Sequence, residues 1–157
     1  MLWDFVRIGL AFVAGGLLLS AGIEDARTRE IADWKSVALC ALAPLWWWAN
    51  AATFWPGAAV QIATAAILFA VFAAAFHFGM MGGGDVKLIS ALTLWLPLPE
   101  LVGMLVVMSL VGGGVTVAML IDRHFARSDR PIEVPYGVAI AAAGILAFRE
   151  PILNHFA

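Results

Sequence analysis

The sequence predicts an all-α, polytopic integral membrane protein with six transmembrane helices. Of its 157 residues, 63% are hydrophobic and only 13% are charged, whereas soluble domains typically contain about 25% charged residues. So few charges could not cover a surface that faces water, and much of the surface must therefore face lipid. Within lipid the backbone has to satisfy its own hydrogen bonds, which a helix does inside each span.

Stretches without charged residues locate the helices. Five such stretches cover residues 8–23, 36–84, 88–99, 101–121 and 134–148. The longest has 49 residues, which exceeds the roughly 20 residues that one span needs. We therefore divide it at the Pro56-Gly57 turn, and Pro97 and Pro99 mark a second turn. The predicted helices cover about residues 3–22, 34–49, 57–79, 85–96, 100–121 and 134–149, of which the fourth is short for a full span.

The basic residues predict the orientation. Seven of the nine Lys and Arg residues fall in the loops 24–35, 82–87 and 122–133, and the other two are Arg7 and Arg149. The positive-inside rule places these three loops in the cytoplasm and both termini outside. Only Arg7 precedes the first apolar stretch as a basic residue, so we interpret that stretch as a membrane span rather than a cleaved signal peptide.

The remaining composition limits the chemistry. The single cysteine, Cys40, excludes an internal disulfide and a cysteine-based zinc site. The three histidines are scattered, so we predict no metal and no cofactor, and we expect no nucleic acid as a partner. Tryptophans near the two outside turns are predicted to form an interfacial belt. They are Trp46, Trp47, Trp48, Trp55 and Trp95.

Three glycines precede a carboxylate at the start of the predicted fourth helix. Gly82, Gly83 and Gly84 permit a tight turn and the close approach of another chain, and Asp85 follows them. A carboxylate near a helix N-terminus is favoured by the helix dipole. Taken alone, the pattern also fits an ordinary loop with an N-cap aspartate. Lys87 is predicted to extend towards lipid headgroups or to contact a substrate.

A second polar segment follows the first predicted helix, also on the cytoplasmic side. Glu24 and Asp25 stand where that helix leaves the membrane, and Asp33 lies further along the loop. Ionisable groups at this boundary suggest function, although a mixed-charge loop is often merely solvated. Glu24 and Asp33 could tune a site or orient the loop.

Taken together, the two segments predict a pair of carboxylates. If Asp25 and Asp85 face one another, repulsion and desolvation let one carboxyl keep a proton while the other stays ionised. The ionised carboxylate can activate water, and the protonated one can donate to a scissile carbonyl. This is the chemistry of an aspartic protease.

The same residues resemble the motifs of the type IV prepilin peptidases, which are membrane aspartic proteases with a Gly-x-Gly-Asp motif. Residues 82–85 fit that motif, and Asp25 followed by five residues and Ile31 fits the family's other aspartate motif. Pro135 and Gly137 look like the Pro-x-Gly signature that opens the last helix. This chain has Ala-Asp after the Ile, where the family usually has Pro-Asn.

The resemblance implies an aspartic endopeptidase with a single transmembrane peptidase domain over residues 1–157. It would cleave the leader peptide of type IV or Flp-type prepilins at the cytoplasmic face of the inner membrane. Without the paired cysteines of the long members' methyltransferase domain, the chain is similar to the short form that serves tight-adherence (Flp) pili. The implied partners are prepilins with a basic leader and an apolar helix, membrane lipids, and pilus or secretion machinery.

The resemblance also implies roles for individual residues. Asp25 and Asp85 would be catalytic. The substrate-binding or motif residues would be Gly82, Gly83, Gly84, Lys87, Glu24, Asp33, Pro135 and Gly137.

Other functions remain open from the residues alone. A different Gly-x-Gly-Asp protease, such as a preflagellin or presenilin-like enzyme, would carry the same pair. A small proton-coupled transporter would hold its carboxylates near the bilayer midplane, whereas these are predicted at the membrane edge. A non-catalytic pilus or secretion assembly subunit would tolerate the loss of both carboxylates.

Overall fold

The computed structural model describes residues 2–51, 54–126 and 135–153. Within these ranges the chain forms six α-helices and no strand, as the sequence predicts. A short π-helical turn, Phe54–Ala58, precedes the third helix and is kinked at Trp55. The helices are α1 Leu2–Thr28, α2 Asp33–Ala49, α3 Ala59–His77, α4 Gly83–Thr93, α5 Leu98–Ala126 and α6 Tyr136–Leu153.

The helix ends differ from the predicted ones where polar residues continue a helix. The prediction ended α1 at residue 22, but α1 continues through Thr28 and ends before Arg29, whose φ of 59° closes the helix. α5 likewise continues to Ala126 rather than residue 121. The prediction was wrong at these ends because charge marks where a helix leaves lipid, whereas Glu, Ala and Arg remain good helix formers in water. The predicted start of α6 at residue 134 lies outside the described residues.

Three helices are long and apolar enough to cross a membrane among the described residues. The apolar segments are Trp3–Thr28 in α1, Trp55–His77 in the π-helical turn and α3, and Leu98–Asp122 in α5. α2 has 17 residues and α4 has 11, and α6 has only a shorter apolar stretch, Tyr136–Phe148. At about 1.5 Å per residue, a helix as short as α4 covers roughly half of a ~30 Å hydrocarbon layer. Six membrane crossings therefore remain a prediction.

α4 packs against three other helices of the bundle. It contacts α2, α3 and α6, while α1 packs on α2 and α6, and α5 packs on α6. Its inward face is completely buried at Leu88, Ile89 and Leu92. α3 packs mainly on α4 and therefore lies at the edge of the bundle.

An aromatic cluster closes one end of the bundle. Trp46 and Trp95 stack with ring centroids 5.3 Å apart, and Phe148 packs edge-on against both. The indole N–H of Trp46 donates to the carbonyl of Trp95, and that of Trp95 donates to the carbonyl of Leu39. The predicted interfacial belt is wrong for Trp46 and Trp95, because their polar atoms find backbone partners inside the bundle and their rings can be buried.

Glycines bring α1 and α6 unusually close together. A Cβ at Gly22 would lie 2.9 Å from the Cβ of Ala141, and a Cβ at Gly144 would lie 2.8 Å from a methyl group of Leu18. Both distances are shorter than carbon–carbon contact, which is about 3.5–4.0 Å. The backbones can therefore approach this closely only because both positions are glycine. Because of this contact, the last turn of α1 lies beside the beginning of α6.

Candidate functional site

Asp25 lies in the last turn of α1, at the N-terminus of α6. Its side chain is buried, with 6% of the residue exposed. The backbone N–H groups of Gly137 and Val138, in the first turn of α6, point at its carboxylate. N–H groups in the first turn of a helix have no carbonyl four residues earlier within the helix, although that of Val138 also reaches the carbonyl of Pro135; together with the dipole they favour a negative charge. Burial disfavours a charge on Asp25, and the N-terminus of α6 offsets part of that cost.

Gly137 is the position where α6 approaches Asp25. A Cβ there would lie 2.8 Å from the Cβ of Asp25 and 2.8 Å from the Cδ1 of Ile31. Pro135 precedes the helix, and its carbonyl accepts the N–H of Val138. Proline suits a helix start because its fixed φ is already helical and it lacks an N–H to satisfy. The Pro-x-Gly pair thus begins α6 and lets its first turn reach the carboxylate.

Asp85 lies in the first turn of α4, outside the three long spans. It is also buried, with 6% exposed. Its Oδ2 accepts the backbone N–H of Gly82 at 3.3 Å. The carboxylate therefore folds back over the glycine turn rather than extending into solvent.

The two carboxylates lie in one recess. A cavity of about 250 Å³ is bordered by both aspartates, by the loop after α1 and by the glycine turn before α4. Asp25 Oδ2 and Asp85 Oδ1 are buried and make no hydrogen bond to the described residues. We call this cavity the carboxylate recess; it is lined by Asp25, Arg29, Glu30, Ile31, Gly82, Gly83, Gly84 and Asp85. The predicted juxtaposition of Asp25 and Asp85 is therefore present.

The recess changes the proton affinity of Asp85. Burial and, to a smaller extent, the negative charge of Asp25 raise the pKa of its carboxyl to about 6, although the N–H of Gly82 acts in the opposite direction. Two interacting carboxyls of this kind titrate as a pair. Within the pair Asp85 is well suited to hold the proton, since Asp25 faces the helix N-terminus that favours its charge.

Glu24 does not face the recess but fixes the loop that borders it. Its Oε2 accepts the backbone N–H of Ala32 at 3.0 Å and the Nζ of Lys35 at 2.6 Å. Lys35 is almost completely buried, so this ion pair is screened less than a surface pair. The loop that Glu24 holds carries Ile31 against Gly84, where a Cβ would lie 3.0 Å from the Ile31 Cβ.

Asp33 and Lys87 form a separate ion pair. The Nζ of Lys87 lies 2.7 and 2.8 Å from the two carboxylate oxygens of Asp33. The pair joins the start of α2 to α4, and both side chains are exposed. Neither residue lines the carboxylate recess.

Sequence reasoning missed the role of Lys35, which it used only as a topological charge. The sequence does place a glutamate, Glu24, and a lysine, Lys35, at the two ends of one short loop, a spacing that permits an ion pair across the loop. Ile31 appeared only as part of a motif, although it contacts both glycines that border the aspartates. Among the described residues, no group of three or more His, Cys, Asp or Glu side chains could hold a metal ion.

Comparison with known proteins identifies a family. The model of the type IV leader peptidase family matches residues 12–117, a segment that contains Asp25 and Asp85. Pro135 and Gly137 lie beyond the matched segment. No curated protein and no solved structure gives a significant match to the chain.

Proposed function

Because the chain belongs to the type IV leader peptidase family, we propose that it is an aspartic endopeptidase that removes the leader peptide from type IV or Flp-type prepilins. The observation that carries this proposal is the pair of buried carboxylates, Asp25 and Asp85, in one recess. Each carboxylate has one oxygen without a hydrogen bond to the described residues. Those two oxygens are the ones available to a water molecule and a peptide carbonyl.

The reaction follows from the different surroundings of the two carboxyls. Ionised Asp25 takes a proton from water, whose oxygen attacks the scissile carbonyl carbon, while protonated Asp85 donates its proton to the carbonyl oxygen. The tetrahedral intermediate then returns a hydroxyl proton to Asp85. The C–N bond breaks as Asp25 passes its proton to the leaving nitrogen. Both carboxyls finish in their starting states, so the cycle needs no other reactant.

The glycine turn provides room for the substrate. Gly82, Gly83 and Gly84 border the recess without side chains, so an extended peptide can approach Asp85 closely. Such a peptide could cross the recess as a strand with its scissile bond between the two carboxyls. Conformational tightening on binding would complete the geometry, as is common when a free active site closes on substrate.

The location of the cleavage follows from the charges. Seven of nine Lys and Arg residues lie in the loops on the side of the chain that carries Asp25 and Asp85. By the positive-inside rule, the recess opens at the cytoplasmic face of the inner membrane and both termini lie outside. A basic leader would be retained on that side, and the apolar segment of the prepilin would enter the membrane beside the recess. A site at helix ends favours this role over a transporter, which needs carboxylates near the midplane.

The test is cleavage of a purified prepilin by purified enzyme in detergent. Asp25→Asn and Asp85→Asn should each reduce cleavage by about 10³-fold or more, because asparagine keeps the shape but neither accepts nor donates the proton. Asp122→Asn is the matched control, since Asp122 is exposed near the end of α5. Near-normal cleavage by either recess variant, or an equal loss in the control, would contradict the proposal.

A further inference from the structure

A second cavity lies on the other side of α4. It has a volume of about 440 Å³, is bordered by α2, α3 and α4, and is open at the surface of the bundle. Its walls are mainly apolar and include Val37 and Cys40 on α2, Phe69 on α3, Ala91 on α4 and Leu94 just after α4. We call it the apolar groove. It exists because α3 packs mainly on α4, which leaves α2 and α3 apart.

The groove leads towards the carboxylate recess along both of its main walls. On α4, Lys87, Ala91 and Leu94 lie on one helix face, and Gly83, one turn before Lys87, continues this face into the recess. On α2, the groove wall begins at Asp33, only two residues after Ile31 of the recess. The ring of Phe76 from α3 lies beside Gly83, 3.5 Å from where a Cβ would be, so an aromatic side chain borders the passage between the two spaces.

Polar groups mark the junction between recess and groove. The Asp33–Lys87 ion pair crosses from α2 to α4 at this end of the groove. Ser36 follows within the groove wall; it is 5% exposed, and its Oγ makes no hydrogen bond to the described residues. The charged residues of the groove therefore lie where it approaches the recess, and beyond them the one further hydroxyl in its lining, that of Ser90, donates within its own helix to Val86.

We propose that the apolar groove binds the first turns of the apolar helix that follows the scissile bond of the substrate, with Asp33 at the N-terminus of that helix. The inference rests on the proposed function, which defines the substrate as a cleavable leader followed by an apolar segment. A peptide that is extended in the recess must become helical on entering the membrane, where its backbone groups need internal partners.

The polarity of the junction fits the beginning of a helix. The first four N–H groups of a helix have no partner within it, and negative charge there is favourable. Asp33 is exposed at this point, and its two oxygens, although each accepts from Lys87, keep lone pairs for a further N–H. The substrate runs from leader to helix, so its helix N-terminus faces the junction. The groove wall from Lys87 to Leu94 is long enough to contact about two turns of the substrate helix, at ~1.5 Å per residue.

Filling the groove provides the first test. Val37→Trp places a large ring in the groove, and Val106→Trp is the matched control on α5; the two valines are 65% and 54% exposed. Two substrates are compared: a full precursor, and a truncated peptide that ends before the apolar segment. Val37→Trp should lower the kcat/KM ratio of full to truncated substrate roughly tenfold or more, as overpacking does in a filled site. Val106→Trp should leave that ratio unchanged.

The outcomes separate the two proposals. An unchanged ratio for Val37→Trp, or an equal fall in Val106→Trp, overturns the proposed role of the groove and leaves the proposed peptidase function unaffected. Failure of the unsubstituted enzyme to cleave either substrate counts against the proposed function instead. In that case the groove is still tested by binding, as follows.

Cys40 permits a direct measurement, because it is the chain's single cysteine, it is exposed, and it lines the groove. Precursors with one cysteine at successive positions of the apolar segment are oxidised with copper–phenanthroline in the Asp85→Asn background. Disulfides should form at positions three or four residues apart within the first two turns, because bridging needs Cα atoms within about 7 Å.

A relocated cysteine is the control for the cross-linking. In the double variant Cys40→Ser with Leu110→Cys, the thiol lies on an exposed part of α5, where Leu110 is 71% exposed. This variant should give no periodic pattern. If Cys40 forms no cross-link with any position, as when lipid fills the groove, or if both variants give the same pattern, the proposal is wrong.

Discussion

Gly137→Ala is the substitution for which the structure gives the sharpest expectation. The new Cβ would lie 2.8 Å from the Cβ of Asp25, 2.9 Å from its Cγ and 2.8 Å from the Cδ1 of Ile31. Ordinary carbon–carbon contact begins near 3.5 Å, so Asp25 and α6 must separate by roughly 0.7 Å. The Asp25 atoms are close to its backbone and cannot rotate away as the end of a long side chain can.

Two effects on stability oppose one another. Alanine in a helix is favoured over glycine by about 0.5–1 kcal/mol, whereas overpacking of this kind costs typically about 1–3 kcal/mol. We therefore expect a modest net loss of stability of about 0–2 kcal/mol. Activity should fall much further, by about tenfold to 100-fold in kcat, because a displacement approaching 1 Å at a reacting group can cost 10²-fold.

The assay combines thermal unfolding in detergent with cleavage of the purified precursor. Gly113→Ala is the control, because a Cβ at that α5 position meets no atom within 4 Å. Gly84→Ala should be intermediate, since its Cβ would lie 3.0 Å from the Ile31 Cβ. Cleavage by Gly137→Ala equal to that of Gly113→Ala would refute the view that this glycine sets the position of Asp25.

Three further predictions concern charge. The pKa of Asp85 is raised to about 6, so the folded state favours the neutral carboxyl. The contribution of this carboxyl to the free energy of unfolding is complete below pH ~4 and is lost as the pH rises through ~6. Asp85→Asn should therefore be more stable than the unsubstituted protein at pH 8, by up to roughly 3 kcal/mol in the free energy of unfolding, and should unfold at a higher temperature. At pH 4 the two proteins should differ little. An equal gain in stability at both pH values would contradict the view that the raised pKa of Asp85 is the cause. Lys35→Met should lower both the unfolding temperature and the rate of cleavage, because it leaves Glu24 without its buried partner. Lys87→Met should change the unfolding temperature little, since exposed ion pairs contribute about 0–1 kcal/mol. Equal effects of the two substitutions would show that burial does not distinguish the two ion pairs. A reporter fused to the C-terminus should be active outside the cytoplasm, and cytoplasmic activity would contradict the predicted orientation.

Some properties could be predicted because they depend on neighbouring residues. Apolar stretches and proline turns located six helices, and these correspond to the six in the described part of the chain. Asp25 and Asp85 could be paired because each stands at a helix end on the same predicted side. Hydropathy and charge act locally, so a single chain is enough to assess them. The exact helix ends were less accessible, since polar helix formers continue a helix beyond the apolar stretch.

Other properties depended on which helices lie side by side. The role of Gly137 follows from the contact of α6 with α1, and the burial of Trp95 follows from a carbonyl of α2 that accepts its N–H. Such partners cannot be predicted from the sequence of one segment, because they come from distant parts of the chain. The sequence by itself determined the helices, the lipid-facing character and the two carboxylates. Only the tertiary structure decided that α6 supplies the N–H groups facing Asp25, that Glu24 clamps a loop, and that α2, α3 and α4 leave a groove, because each depends on packing between segments far apart in sequence.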